Sequence, residues 1–243
     1  MISRRMHARG RGRAGRGLLA ATAMCGLLAA GGAASTGALS APANATSTAS
    51  AGHFVLGAHD AAIGRLERRL AFLHYDVGNI DGVFTSDTLH ALVAFQKVQG
   101  LARTGTVTRA LTQRLAAPLL PRLRYIGSGS GLEVDLSKQV LYRASGGTIV
   151  AIYDTSTGRP ALPTPVSGAH PFRIWRRVLW GTTGYGDVEH YVQYYRAGSL
   201  LALHAYGYVP AYPDSHGCIR LTPGSAARVW ASTYLGERLY TYY

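Results

Sequence analysis

Cys218 is preceded by two histidines, His216 at a distance of two residues and His204 at fourteen residues. A free thiol has an ordinary pKa of about 8.5 and is only a few per cent thiolate at neutral pH. An imidazole within hydrogen-bond distance removes that limit, because it takes the proton and leaves a thiolate–imidazolium pair. The residue types in this short segment therefore predict a nucleophilic cysteine with a histidine as its base.

The elements around these residues favour His204 as the partner of the thiol. His204 ends the apolar run 200–203, so we expect it near the end of a strand. The following residues, 205–214, contain two prolines and predict a loop that can return the chain towards Cys218. Gly217 permits a backbone geometry in which consecutive N–H groups point to one spot, as an oxyanion hole requires.

Two other interpretations of Cys218 stay open at this point. A free cysteine is often a buried structural side chain. Cys218, His204 and His216 could also bind zinc, although their spacing matches no usual zinc pattern and a glycine crowds the three ligands. We expect neither a metal nor another cofactor in this chain.

Residues 1–43 have the composition of a secretory leader. They hold six arginines and no acidic residue, and an apolar stretch over 18–34 is followed by small residues at 41–43. This order predicts an N-terminal signal peptide that is cleaved, with an uncleaved membrane anchor as the alternative. The second cysteine, Cys25, lies in this leader, so Cys218 has no partner for an intramolecular disulfide in the mature chain.

The net charge of the chain, +13, is partly a property of the leader. Without residues 1–43 the chain keeps 19 basic and 12 acidic residues, a net charge of +7. These basic residues are scattered and form no run interleaved with aromatic residues, which argues against nucleic acid as a partner. A positive field of this kind attracts anionic wall polymers without specificity, and no obligate protein partner is evident.

The chain after the leader divides into a helical half and a strand-rich half. Residues 44–58 are rich in Ser, Thr, Ala and Gly and predict a flexible linker, and residues 59–117 carry apolar residues at helical spacing. Residues 118–131 form a second linker, and residues 132–243 alternate with period two in short runs. The predicted fold class is therefore α + β with two domains: a small three-helix bundle followed by a mainly-β sandwich or barrel-like domain.

Capping residues delimit the predicted helices. Thr85 or Ser86 can cap the second helix, and Gly100 suits its end. A third helix is expected over about 108–115, and another after Thr222-Pro223. Strands are expected over 132–136, 139–143, 148–153, 191–195, 200–204 and 238–243.

The helical half contains the run Gly78-Asn79-Ile80-Asp81-Gly82-Val83-Phe84, followed by Phe95-Gln96 and Gly100-Leu101. This text resembles the three-helix peptidoglycan-binding domain found on many wall enzymes. It departs from that family at Thr85-Ser86, where Gly-Pro is common, and before Gly105, where an acidic residue is usual. The resemblance covers the predicted domain 59–117 and implies peptidoglycan as a partner, without assigning individual binding residues.

The strand-rich half contains Ser215-His216-Gly217-Cys218-Ile219-Arg220-Leu221, with His204 upstream. The heptapeptide and the histidine resemble the signature of the L,D-transpeptidases, cysteine enzymes that cross-link peptidoglycan. Residues 133–141 resemble the first hairpin of that family, and residues 155–158 resemble its early loop. The resemblance extends over 132–243 and implies an L,D-transpeptidase catalytic domain.

The same resemblance implies a role for each residue of the site. Cys218 attacks the carbonyl of the L-centre of a donor tetrapeptide, expels D-alanine and holds the peptide as a thioester. His204 acts first as the general base and then as the acid that protonates the leaving amine. The resemblance also implies that the carbonyl of Ala205 orients the imidazole and that the N–H groups of His216, Gly217 and Cys218 form the oxyanion hole. Arg220 then binds a carboxylate or braces the loop. Tyr206 and Ser215 line the site.

The function predicted from this resemblance leaves three outcomes open. An amine that resolves the thioester makes the chain a transpeptidase, whereas water makes it an L,D-carboxypeptidase. A catalytically inactive peptidoglycan-binding protein is the third outcome, and the intact motif argues against it. In each case we expect an exported protein associated with the cell wall, and the Gly- and Tyr-rich stretch 180–195 is a candidate lid over the site.

Overall fold

Residues 54–183 and 186–243 are described by the structure, a computed structural model, and all of them belong to one compact unit. The predicted leader and the first ten residues of the predicted linker 44–58 lie outside the described residues. Within the described ranges, no helix combines the length and the apolar character needed to cross a membrane.

Three helices form the first part of the fold: α1 (Ala61–Phe72), α2 (Ser86–Gln99) and α3 (Arg109–Ala116). Each begins where a polar side chain can satisfy a free N–H group of the first turn. The Thr85 side chain accepts a hydrogen bond from the N–H of Thr88, and Thr108 accepts one from Leu111. Helix α2 ends at Gly100, whose φ of 67° places it in the left-handed region that ends many helices.

Helix α2 is buried on almost every face, because it lies between α1 and the strands of the following domain. Every residue from Ala91 to Gln99 is buried, including the polar side chains of Gln96, Lys97 and Gln99. The sequence pattern predicts a single apolar stripe on this helix. The second buried face arises because the two domains share a core, in which Val140, Tyr142 and Ile152 pack among the apolar side chains of the helices.

In the part of the chain that the structure describes, the second half of the fold contains nine strands in two sheets. The first sheet has the order β3-β2-β1-β9-β4 and consists of β1 (Gly131–Asp135), β2 (Val140–Ser145), β3 (Thr148–Asp154), β4 (Phe172–Arg173) and β9 (Arg238–Tyr242). Strands β1 and β9 are parallel, and the other pairs are antiparallel.

The second sheet has the order β5-β6-β7-β8 and carries the candidate site. It consists of β5 (Arg176–Thr182), β6 (Val188–Tyr194), β7 (Ala202–Ala205) and β8 (Ile219–Leu221). Strands β7 and β8 are parallel, and this pairing sets His204 opposite Arg220. Helix α4 (Pro223–Ser232) follows β8 directly and is capped by the Thr222 side chain.

The two sheets and α4 share one apolar core. Leu132, Val134 and Leu239 from the first sheet pack with Leu203 and Ile219 from the second. Val229 of α4 belongs to the same cluster and is completely buried. The predicted α + β chain, with helices followed by a β-rich domain, is confirmed.

The sequence analysis missed three strands. Strand β4 has two residues, and β5 is mostly exposed, so neither shows an apolar alternation. Strand β8 lies inside the Cys218 motif and was not expected to pair. The predicted linker 118–131 holds no helix, and Gly131 is the first residue of β1.

Candidate active site

The pairing of β7 with β8 brings Cys218 to His204. His204 is the third residue of β7, and Cys218 immediately precedes β8, whose Ile219 lies opposite Leu203. The two side chains line the same cavity, and Cys218 is one of the groups that raise the pKa of His204. Both residues are buried, with Cys218 exposed by 8% and His204 by 3%. The thiol thus lies beside an imidazole and largely out of solvent.

The imidazole of His204 is held in one orientation by its Nδ1 atom. Nδ1 lies 2.8 Å from the carbonyl oxygen of Ala205 and 3.7 Å from Oε2 of Glu189. A carbonyl oxygen can only accept a hydrogen bond, so Nδ1 carries the proton and Nε2 is left for the thiol. The ring of Tyr206 stands edge-on to the imidazole, with 6.0 Å between the centroids.

The pKa of His204 is raised by its partners against the effect of burial. Burial alone lowers it, because a charged imidazolium loses hydration. The interactions with Cys218 and Glu189, the charge of Cys218 and the hydrogen bond to the Ala205 carbonyl outweigh burial and raise the pKa from 6.5 to about 9. At neutral pH the imidazolium form is therefore favoured as long as Cys218 is present as the thiolate.

The loop before Cys218 is shaped around Gly217. Gly217 has a φ of +108°, and a Cβ atom at this position would lie 2.9 Å from Cδ2 of Leu201. Its carbonyl oxygen accepts hydrogen bonds from the hydroxyls of Tyr195 and Thr164, each at 2.9 Å. A residue with a side chain cannot adopt this conformation without strain, so the glycine is a steric requirement.

Ser215 closes the same loop from within. Its hydroxyl donates to the carbonyl oxygen of Cys218 at 2.6 Å and accepts from the N–H of Gly217 at 3.1 Å. The Gly217 amide is thus engaged at rest, and it has to leave Ser215 before it can donate to an oxyanion. The tight turn holds the thiol-bearing residue in place.

Residues 155–158, which we call the strap, run along the other side of the Cys218 loop. The backbone of Ser156 exchanges two hydrogen bonds with Arg220, at 3.2 and 3.0 Å. The carbonyl oxygen of Thr157 accepts from the N–H groups of Asp214 and Ser215, both at 2.9 Å. The strap therefore fixes the chain on both sides of Cys218.

Arg220 lies between the cavity and the loop. Its guanidinium stacks over the ring of Tyr206, 4.0 Å from the centroid, and donates to Oδ2 of Asp214 at 3.3 Å. It therefore braces the loop while its side chain also lines the cavity.

Burial and the positive charges of Arg159 and Arg220 lower the pKa of His216, so this second histidine is neutral at neutral pH.

A narrow cavity of about 20 Å³ lies in front of the thiol, enough for roughly one water molecule. The predicted residues His204, Tyr206, Ser215, His216, Cys218 and Arg220 all line it. Gly217 and Ala205 are absent from this lining, and Ala205 contacts the site through the hydrogen bond between its carbonyl oxygen and His204. Across the described residues, no group of three or more His, Cys, Asp or Glu side chains is arranged to hold a metal ion.

Three further lining residues escaped the sequence analysis: Thr183, Asp187 and Glu189. They belong to the β5–β6 hairpin, within the stretch 180–195 that the sequence analysis singled out as a candidate lid. Glu189 is the residue of consequence, because its carboxylate reaches His204 across the pairing of β6 with β7. A buried acidic residue in a strand is the signal that sequence offers, and it does not identify the partner.

Two family models match the chain. The model of the L,D-transpeptidase catalytic domain matches residues 130–240, and that of a putative peptidoglycan binding domain matches residues 59–115. Residues 130–240 are an L,D-transpeptidase catalytic domain. The chain is therefore an enzyme of the L,D-transpeptidase class with a peptidoglycan-binding domain before it, and peptidoglycan is its target.

A solved structure supports this assignment. An L,D-transpeptidase from Xylanimonas cellulosilytica is 28% identical with a TM-score of 0.70, covering 77% of this chain and 96% of that chain. An L,D-transpeptidase from Stackebrandtia nassauensis is 22% identical with a TM-score of 0.49, and the coverage is again 77% and 96%. No curated protein matches the chain.

Proposed function

We propose that this chain is an exported, cysteine-dependent L,D-transpeptidase that forms an acyl-enzyme on peptidoglycan tetrapeptide stems. The observation that carries the proposal is that Cys218 and His204 line one cavity, with the imidazole oriented by the Ala205 carbonyl. This is the arrangement in which an adjacent base activates a nucleophile and a third group orients the base. The backbone carbonyl takes the orienting role that a carboxylate has in other triads.

The proposed reaction begins at the thiolate of Cys218. Its sulfur attacks the carbonyl carbon at the L-centre of the donor stem, and the bond to D-alanine breaks while a thioester forms. The imidazolium of His204 gives its proton to the leaving amine, so that D-alanine departs neutral at nitrogen. An acceptor amine then attacks the thioester, its proton returns to His204, and Cys218 leaves again as the thiolate.

The high pKa of His204 suits the first half of this cycle. An imidazole with a pKa of about 9 holds its proton at neutral pH. The same proton is then available for the leaving amine. The developing oxyanion would be held by backbone N–H groups of the loop 216–218. Arg220, which lines the cavity, would bind a carboxylate of the substrate.

Export rests on the composition of residues 1–43 and on the peptidoglycan-binding domain. We expect N-terminal sequencing of the protein recovered from the producing cells to begin shortly after Ala43. A protein that keeps its first residues and stays with the membrane would contradict cleavage of the leader and favour an anchor.

The chemistry is tested by incubating the protein with a disaccharide-tetrapeptide under reducing conditions and following it by mass spectrometry. We expect release of D-alanine and an acyl adduct on Cys218. The Cys218→Ala variant should lose both. A wild-type protein without adduct or product, or a Cys218→Ala variant that still processes the stem, would sink the proposal.

The acceptor decides between the two enzymatic outcomes. Formation of cross-linked dimers from tetrapeptides identifies transfer to an amine. Release of D-alanine with tripeptide as the final product identifies water as the acceptor and an L,D-carboxypeptidase. A protein that binds sacculi but never acylates Cys218 would be the inactive wall-binding protein.

A further inference from the structure

The side chain of Lys97 crosses from the peptidoglycan-binding domain into the catalytic domain. Lys97 belongs to α2, and its side chain is 0% exposed. Its ammonium donates to Oδ1 of Asp154 at 2.5 Å, to the carbonyl oxygen of Thr155 at 2.9 Å and to that of Gln139 at 3.0 Å. An ammonium has three donors, and all three are used here: two at the end of β3 and one, on Gln139, just before β2.

The buried Lys97–Asp154 ion pair is not needed to hold the two domains together. The apolar side chains of Val140, Tyr142 and Ile152 already join the two domains in one core. Burying an ammonium and a carboxylate costs hydration, and such pairs are often no more stabilising than apolar residues of the same volume. What a fully bonded buried pair supplies is a defined geometry, because its partners can take few alternative positions.

The geometry in question is that of the strap. Asp154 is the last residue of β3, and the strap follows it directly and pairs with the Cys218 loop. Gln139 holds the strap from the same side as Lys97. Its side chain accepts from the N–H of Thr157 at 2.8 Å and donates to the Thr157 hydroxyl at 2.6 Å, while its carbonyl oxygen accepts from Lys97.

We propose that Lys97 of the peptidoglycan-binding domain is a positioning residue for acyl transfer, acting through Asp154 and the strap on the loop that carries Cys218. This inference rests on the proposed function. The peptidoglycan-binding domain then has a second role besides attachment to the cell wall, because its helix α2 helps to hold the strap that pairs with the Cys218 loop.

A second ion pair between the same domains provides the matched control. Arg228 of α4 pairs with Asp76 at 2.7 Å and with Asp87 at 2.8 Å, and both carboxylates belong to the helical domain. These contacts do not involve the strap. Loss of Arg228 should therefore weaken the domain interface without altering the position of the Cys218 loop.

The experiment compares two reactions of Cys218 in the full chain. Acylation by the disaccharide-tetrapeptide needs the loop in its productive geometry, whereas alkylation by iodoacetamide needs only the thiolate. Both are followed by mass spectrometry of the Cys218 peptide, well below the melting temperature of each variant. The variants are Lys97→Met, the isosteric Asp154→Asn and the control Arg228→Gln.

We expect Lys97→Met to lower the rate of acylation about 10- to 100-fold, the range for a small misplacement of catalytic groups. Asp154→Asn should have a smaller effect in the same direction. Alkylation should stay within about threefold of wild type in both. Arg228→Gln should lower the melting temperature and leave both rates near those of wild type. In hydrogen exchange, the N–H groups of Asp214 and Ser215 should be less protected in Lys97→Met, less strongly affected in Asp154→Asn and unchanged in Arg228→Gln.

Three outcomes would overturn the inference. The first is a folded Lys97→Met variant that acylates at the wild-type rate. The second is a parallel loss of acylation and alkylation, which would locate the effect in the thiol–imidazole pair. The third applies if Lys97→Met does not fold: acylation of Asp154→Asn at the wild-type rate would then overturn the inference. A wild-type protein that is never acylated refutes the proposed function instead, so the two failures are distinct.

Discussion

The protonation of His204 can be changed by removing its neighbour Cys218. In the wild-type protein the pKa of His204 is raised from 6.5 to about 9. That difference corresponds to roughly 3 kcal/mol in favour of the imidazolium. Burial is the largest single influence and acts in the opposite direction, so the partners supply more than this net value. Four interactions raise the pKa of His204, and two of them come from Cys218.

The Cys218→Ala variant should therefore lower the pKa of His204 to about 6.5 or below, because burial persists while both contributions of Cys218 vanish. At pH 7.5 the imidazole would be mostly neutral in the variant and mostly protonated in wild type. The measurement is an NMR titration of the imidazole Cε1–Hε1 signal between pH 5 and pH 10. Glu189→Gln serves as the control, since it removes one contact at 3.7 Å and keeps the thiol.

Glu189→Gln should lower the pKa of His204 by less than Cys218→Ala does. The reasoning is refuted if His204 titrates at the same pH in Cys218→Ala as in wild type. It is equally refuted if wild-type His204 titrates near 6.5, because the imidazolium would then be absent from the resting site at neutral pH.

Two further predictions concern the frame around the site. Gly217→Ala should reduce acylation of Cys218 by about 100-fold, since its Cβ would lie 2.9 Å from Leu201 Cδ2 at a φ of +108°; the rate of adduct formation measures this. Glu133→Gln should lower the free energy of unfolding by about 3 kcal/mol, because the carboxylate is 0% exposed and accepts from the N–H groups of Arg124, Tyr125 and Ile126; urea denaturation measures this.

Each of these substitutions has a control in the chain. Gly207→Ala lies in the loop after β7, meets no atom within 4 Å, and should leave acylation unchanged. Lys138→Ala removes an ion pair whose lysine is 45% exposed, and should change stability by less than about 1 kcal/mol. Equal rates for Gly217→Ala and Gly207→Ala, or equal stability losses for Glu133→Gln and Lys138→Ala, would contradict the two predictions.

Local chemistry allowed many elements to be predicted from the sequence. Thr85 caps α2 and Gly100 ends it, because these roles depend on a side chain and its own first turn or on backbone conformation at one residue. The β1–β2 hairpin was predicted from alternation alone, since both strands face a core. Strand β5 was missed because it is exposed on both faces and therefore has no such pattern.

The candidate site was predicted in part. The pairing of Cys218 with His204 could be predicted because the residue types, the loop between them and the family resemblance each favour it. Glu189 could not be assigned, because it reaches His204 only through the pairing of β6 with β7. Its role depends on a strand register, and a charged residue in a strand does not reveal the register or the neighbour.

The sequence by itself determined which half of the chain is helical and which is β-rich. It also determined the basic and apolar composition of residues 1–43 and the identity of the thiol and the imidazole. These follow from periodicity, capping and side-chain chemistry, which act over a few residues. Only the tertiary structure decided that α2 is buried between two domains and that Lys97 ends on Asp154 beneath the strap. The physical reason is that burial of a charged side chain depends on which distant surface packs over it, and packing between domains leaves no local pattern in the chain.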